Sequence, residues 1–458
     1  MKKLFFFLFS IISCFSYGQQ PWTIKGEIRS LSLVKIALSN FWGEKPSLVD
    51  SALSDNSGKV SFKMKPGAIS GLYRISWGKD KFVDLIWNKE DVVFSTVADS
   101  PSDSMMITSS VENQLYYYYM RLDRLNQSKL EVLMPVIDFY PEKNQFYSGV
   151  ISEYENIQKN QVRILDSLTR LYPASYSVRI FRNQQTPFLS AALSKEARIN
   201  FLKQHFFDLT DFKDTILLHS NSWANKAVAY LSLYSSNKLN QKQLQAEFIK
   251  AVTTMLSAAS VNPDVYKFLL DYFVGGFDKY HFDEVVTYIA DNFQDPYSCE
   301  DQAKKSALQK KLENFKKISV GKIAPEIEIP DPKGKTNRLS TITSEFTLVI
   351  FWSSECGHCI EMMPKVKKLY DAQKPKRFEV LAVSVDTSKT EWTAFLKEEK
   401  LNWLNGCDQK GFDGKAADDY NIYATPTMFL LDREKKILAK PISYRELERD
   451  LRDQKLIN

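Results

Sequence analysis

Apolar and polar positions alternate in short runs over residues 21–100, at 22–24, 34–38, 60–64, 72–77, 82–87 and 92–95. A period of two belongs to strands with one buried face. Asp55-Asn56-Ser57-Gly58 and Pro66-Gly67 stand between runs as turns. The pattern predicts a small antiparallel β domain over 19–105, sandwich-like, with no cysteine, histidine or catalytic grouping of its own. Beyond it glycine becomes sparse and the apolar spacing turns helical. Leu115, Tyr118, Leu122 and Leu125 form one such series, and Leu244, Phe248, Val252 and Leu256 another. An all-α region over 106–318 follows, with Tyr116–Tyr119 as packing residues, Gly275-Gly276 separating two helices and 304–317 as a solvated helix. From 319 to 458 strands and helices interleave, and 378–386 is a second buried apolar strand following a helix. That makes a βαβ unit with parallel strands, and the last region is α/β. Asp331-Pro332-Lys333-Gly334-Lys335 reads as a hairpin turn ahead of it.

The stretch 347–364, TLVIFWSSECGHCIEMMP, concentrates the candidate chemistry. Leu348, Val349, Ile350, Phe351 and Trp352 form an unbroken apolar run, the pattern of a strand buried on both faces. Two serines, Glu355 and then Cys356-Gly357-His358-Cys359 lead into a segment of helical spacing, in which Pro364 removes a backbone donor and predicts a bend. A cysteine at the first turn of a helix meets the positive end of the helix dipole and unpaired N–H groups, both of which favour a thiolate. Two intervening residues bring the second sulfur one turn along, within reach of a disulfide. Taken alone, the motif also fits a zinc half-site or a structural bridge.

At 458 residues, with 44% hydrophobic and 25% charged positions, the chain is globular and holds more than one domain. The net charge of +6 includes Lys2 and Lys3 in a segment expected to be removed, and gives no reason to invoke nucleic acid. Residues 1–18 read as a secretion signal: two lysines, an apolar stretch over 4–12, and Ser16-Tyr17-Gly18 as a small-residue exit. The stretch is shorter than the roughly 20 residues a spanning helix needs. A competing reading takes Ile11-Ile12-Ser13-Cys14 as a bacterial lipobox and attaches the protein to a membrane through Cys14. Both readings place the chain in an exported compartment that permits disulfides. His205, His219 and His281 show no metal-ligand spacing, and Cys299 and Cys407 read first as buried, inert thiols.

The strand, the Phe351-Trp352 pair, CxxC, the helix and the later Thr425-Pro426-Thr427 together resemble the thioredoxin fold. The opening Gly321–Pro325 segment and the hairpin resemble its TlpA-like branch of envelope thiol–disulfide oxidoreductases, over 319–458. The β domain and helical region resemble, more loosely, the N-terminal halves of such enzymes in Gram-negative envelopes. The resemblance implies Cys356 as exposed nucleophile, Cys359 as resolving thiol, and Thr425-Pro426 as the cis-proline pair that offers backbone to an extended substrate. Trp352 and Gly357 would line the substrate side, and an imidazolium at His358 would favour the Cys356 thiolate and make the couple more oxidising. It implies disulfide-containing envelope proteins as substrates, a membrane electron donor or acceptor as partner, and no cofactor or metal beyond the Cys356–Cys359 couple.

Two departures stand against this likeness. Thioredoxin carries a buried aspartate where this chain has Ile350, and many TlpA-like proteins place a glutamate where it has Met362. Glu355 and Glu361 are the nearest substitutes as proton acceptors for Cys359. The expected activity is exported thiol–disulfide exchange in the reductive direction. An oxidant or isomerase of the same chemistry is the alternative, and a partner-binding protein with a secondary redox domain is another. A peroxiredoxin-type peroxidase fits less well, because that class uses a Thr-x-x-Cys context and this chain has Ser353-Ser354-Glu355-Cys356.

Overall fold

The computed structural model describes residues 22–457 apart from 79, 281, 298–306 and 374. The expected signal with Cys14, as well as His281 and Cys299, lies outside these residues. The chain divides into two compact units, 1–233 and 234–458, so helices read as one region belong partly to each.

In the first unit the alternating runs form β1 (Thr23–Arg29), β2 (Lys35–Trp42), β3 (Lys45–Leu53), β4 (Lys59–Lys63), β5 (Gly71–Ser76), β6 (Phe82–Trp87), β7 (Val92–Val97) and β8 (Met106–Ser109). They make two four-stranded sheets, ordered β4-β1-β7-β8 and β3-β2-β5-β6. Ile24, Ile28, Val60, Phe62, Val92 and Phe94 of one sheet share a core with Ile36, Leu38, Tyr73, Ile75, Val83 and Leu85 of the other. The sandwich expected from the sequence is present, but it is not wholly antiparallel: β1 pairs with β7 in parallel. Gly58 sits at φ +80 against the Ile28 carbonyl, where an added Cβ would overlap that backbone oxygen.

Among the described residues this unit continues with five α-helices: α1 (Val111–Phe139), α2 (Gln145–Leu171), α3 (Tyr176–Gln184), α4 (Lys195–His205) and α5 (Ser222–Ser232). Ser110, Asn144, Ser175 and Ser194 cap the first four with side-chain acceptors. On α1 the buried face carries Leu115, Tyr117 and Tyr119, while Tyr118 and Leu125 point to solvent, a correction to the spacing read above. The Tyr117 hydroxyl donates to the Asp84 carbonyl on β6, which turns this face to the sheet.

The second unit begins with α6 (Gln241–Ala259), α7 (Pro263–Lys279), α8 (Asp283–Asn292) and α9 (Ala307–Lys317). Gly275-Gly276 does not separate helices; both lie inside α7. Two glycines cost a helix about 1 kcal/mol each, and here burial of Leu269, Leu270, Phe273, Val274 and Phe277 outweighs them. No helix among the described residues is long and apolar enough to cross a membrane.

The rest of this unit is α/β: β9 (Glu328–Pro330), β10 (Thr336–Arg338), β11 (Phe346–Trp352), α10 (Gly357–Ala372), β12 (Phe378–Ser384), α11 (Lys389–Glu398), β13 (Leu404–Cys407), α12 (Lys415–Asp419), β14 (Thr427–Leu431), β15 (Ile437–Ala439) and α13 (Tyr444–Asp453). β9 and β10 form the expected hairpin, closed where the Asp331 N–H meets the Lys335 carbonyl. The five-stranded sheet runs β13-β12-β11-β14-β15. β11 pairs in parallel with β12 and antiparallel with β14. Because side chains alternate across a strand, Leu348, Ile350 and Trp352 face the layer with α10 and α13. Val349 and Phe351 face the layer with Tyr420 and Ile437. Both layers are apolar, so β11 needs no polar face. The helices ahead of this domain engage it through Lys440, whose Nζ lies 2.6 Å from Asp283 of α8.

Candidate active site

β11 ends at Trp352 and the chain turns through Ser353-Ser354-Glu355 into α10. Asp386, just beyond β12, holds this turn: its carboxylate accepts from Ser353 Oγ at 2.6 Å, Ser354 N at 2.9 Å and Ser384 Oγ at 2.7 Å. Asp386 is buried, and among the described residues of the α/β domain it is the buried carboxylate. Paired in this way, a buried charge is tolerated. Sequence reasoning saw Asp386 only as the end of an apolar strand; the signal available was a charged residue directly after a run of buried positions.

Cys356 occupies the N-cap of α10, and its Sγ accepts from the Cys359 N–H at 3.3 Å. The same sulfur lies 3.3 Å from the Thr425 carbonyl oxygen, to which the thiol donates. Thr425-Pro426 is a cis peptide, partly exposed like Cys356. Cys359 is wholly buried in the core with Trp352, Met362 and Met363. Both sulfurs are free thiols in this structure.

The two thiols are driven apart electrostatically. Burial works to raise Cys356, but contacts with the Cys359 and Thr425 side chains and the Cys359 and His358 backbone outweigh it and hold the thiol below its ordinary value. Burial first, and the adjoining Cys356 second, push Cys359 up to about 12. An accessible sulfur that ionises readily sits beside a buried one that resists ionisation. That is the arrangement for ordered attack on a disulfide.

The remaining expected residues distribute unevenly. Gly357 and His358 are exposed in the first turn of α10, and Gly357 has open space where a Cβ would stand. Trp352, expected on the substrate side, is 0% exposed with its ring 5.1 Å from that of Phe395. It supports the site from beneath and offers no surface to a substrate. Glu355 and Glu361 are both exposed, whereas Ile350 and Met362 are buried with Cys359. Neither Glu355 nor Glu361 therefore replaces the missing acid within that cluster. α10 runs through Pro364 as one helix. Cys407 is a buried thiol, raised by burial, donating to the Asp386 carbonyl at 3.2 Å. Among the described residues no three His, Cys, Asp or Glu side chains gather to hold a metal.

Comparison with known proteins gives this arrangement its context. Residues 320–440 match the AhpC/TSA family. The thiol-disulfide oxidoreductase ResA of Bacillus cereus is 30% identical over 126 residues, 28% of this chain and 71% of that protein. ResA of Geobacillus kaustophilus is 29% identical over 137 residues, 29% of this chain and 77% of that protein. Among solved structures, a domain of a possible thiol-disulfide isomerase from Cytophaga hutchinsonii is 32% identical, with TM-score 0.28, covering 30% of this chain and 94% of that one.

Proposed function

We propose, from the premise that this chain belongs to the TlpA-like thiol–disulfide oxidoreductases of thioredoxin fold, that it is exported and reduces disulfides of envelope proteins through Cys356 and Cys359. The observation that carries the proposal is the pairing of a half-exposed, readily ionised Cys356 with a buried, reluctant Cys359.

In the proposed reaction the Cys356 thiolate attacks one sulfur of a substrate disulfide. A Cys356–substrate S–S bond forms, the substrate's own S–S bond breaks, and its second sulfur leaves as a thiolate. Cys359 then loses its proton and attacks Cys356 Sγ, closing Cys356–Cys359 and releasing the first substrate sulfur. Two electrons pass from the protein to the substrate, and a thiol donor must restore the pair. Thr425 supports this order, since its carbonyl contact fixes Cys356 beside a strip of backbone that an extended peptide can pair with. A reductant reached at the membrane is the fitting partner for an exported enzyme of this kind, and neither metal nor organic cofactor enters the scheme.

His358 favours the second reading, an oxidant or isomerase, because an imidazolium in the first turn stabilises the reduced form. Titration of the Cys356/Cys359 couple against glutathione separates the two. A potential near thioredoxin's, about −270 mV, fits the reductase; one near disulfide isomerase, about −180 mV, replaces it with the oxidising reading.

A further inference from the structure

The first unit holds a cavity of about 560 Å³ bounded by α1 to α5 and the segment 184–189. That size lies within the range of small-molecule sites, roughly 300–1,000 Å³. Its walls are built in advance of any ligand. Gln158 of α2 grips the loop at two points, accepting from the Leu189 N–H at 2.9 Å and donating to the Leu189 carbonyl at 3.0 Å. Tyr119 and Phe181 stack with centroids 4.2 Å apart and, with Phe188 and Leu202, give the cavity an apolar wall.

Lys226 of α5 reaches this cavity with only 2% of its surface exposed. Its Nζ donates to the Gln185 carbonyl at 3.2 Å and lies 4.4 Å from the centre of the Phe206 ring. An ammonium has three donors, and these contacts use one of them. Two carboxylates also line the cavity: Asp123 is engaged by Gln161 Nε2 at 2.6 Å, and Glu131 is exposed. Neither balances Lys226, whose ordinary value falls to about 8 through burial with no opposing carboxylate contribution. A buried cation without a counter-charge is costly, and the Gln185 carbonyl and the Phe206 ring are neutral partners that supply none. Lysine's apolar stem could be supplied by methionine or leucine.

We propose that this cavity binds a monocarboxylate carried on an apolar body, with the carboxylate against the Lys226 ammonium and the hydrocarbon against Tyr119, Phe181 and Phe188. The ligand supplies the missing counter-charge, and the free ammonium donors distinguish an acid from a neutral molecule of the same shape. The site is separate from Cys356 and does not depend on the redox assignment.

Calorimetric titration of the full exported chain with decanoate and with 1-decanol, both below their aggregation limits, tests this. Decanoate should bind at a single saturable site, and 1-decanol about tenfold or more weakly, as expected for loss of a charge-assisted hydrogen bond. Lys226→Met, which removes the charge together with the donor to the Gln185 carbonyl, should weaken decanoate by about ten- to hundredfold, leaving 1-decanol unchanged. Ala229→Trp, at an exposed position one turn along α5 and on the cavity lining, should weaken both ligands; it serves as the test if Lys226→Met does not fold. Absence of saturable decanoate binding, equal affinity for the alcohol, or decanoate binding that survives both substitutions overturns the proposal.

Discussion

The Thr425 carbonyl oxygen and the Cys356 Sγ lie 3.3 Å apart across 69 residues of sequence. β14 brings them together by pairing antiparallel with β11, so that Phe351 stands opposite Thr427 as both strands reach the same edge of the sheet. The surroundings of Cys356 are thus assembled by the sheet, while the α10 N-terminus supplies the donors that lower its thiol. Disturbing either should change reactivity without dismantling the core.

Cys359→Ala should accumulate mixed disulfides on Cys356, because no resolving thiol remains to release the substrate. Non-reducing electrophoresis and mass spectrometry of extracts from expressing cells would reveal the adducts. Their absence, with Cys356 still alkylatable, would mean that the order of attack is different.

Asp386→Ala should destabilise the protein by about 1–3 kcal/mol, since it leaves the buried Ser384 hydroxyl, the half-buried Ser353 hydroxyl and the Ser354 N–H without their acceptor. It should also slow disulfide exchange by loosening the turn that delivers Cys356, and Asp386→Asn should recover part of both losses. Denaturant unfolding and turnover are the measurements. A variant with unchanged stability and rate would show that the turn holds itself.

Met362→Glu should speed the resolving step. Met362 lies three residues beyond Cys359, on the same helix face and in the same buried cluster. A carboxylate there can take the proton that Cys359 must lose. Such general-base assistance is worth roughly 10²–10⁴-fold when the geometry is right. The cost of burying the new charge opposes it. Stopped-flow resolution of a preformed Cys356 mixed disulfide over pH 6–9 would detect the gain; no acceleration at any pH in a folded variant would mean that water or an exposed acid already serves.

Legibility followed local chemistry. The β11 run, the CGHC turn and the hairpin at Asp331 could be read because each is a short pattern with a single physical solution. β3 could not: its residues are mostly exposed, so a strand paired along β2 leaves no apolar alternation. The parallel β1–β7 pair joins Ile24 to Val92 and Arg29 to Val97, and register across so long a stretch of chain leaves no local trace. Trp352 was readable as a neighbour of the site but not as its floor, because a buried and a surface tryptophan look alike in a motif. Lys226 among many solvated lysines, and Asp386 as clamp of the active-site turn, emerge only once tertiary contacts are known.

The most direct test of the account is the pH dependence of iodoacetamide alkylation, resolved by site with mass spectrometry on the reduced protein. Cys356 ionises below the ordinary thiol value and Cys359 far above it, so between pH 5 and 9 Cys356 should be modified first. Its rate should rise with pH and level off at a midpoint below the unperturbed thiol value of 9.0, while Cys359 stays unmodified in the folded chain. Alkylation of Cys359 ahead of Cys356, or a Cys356 midpoint at or above that value, would contradict the assignment of nucleophile and resolving thiol.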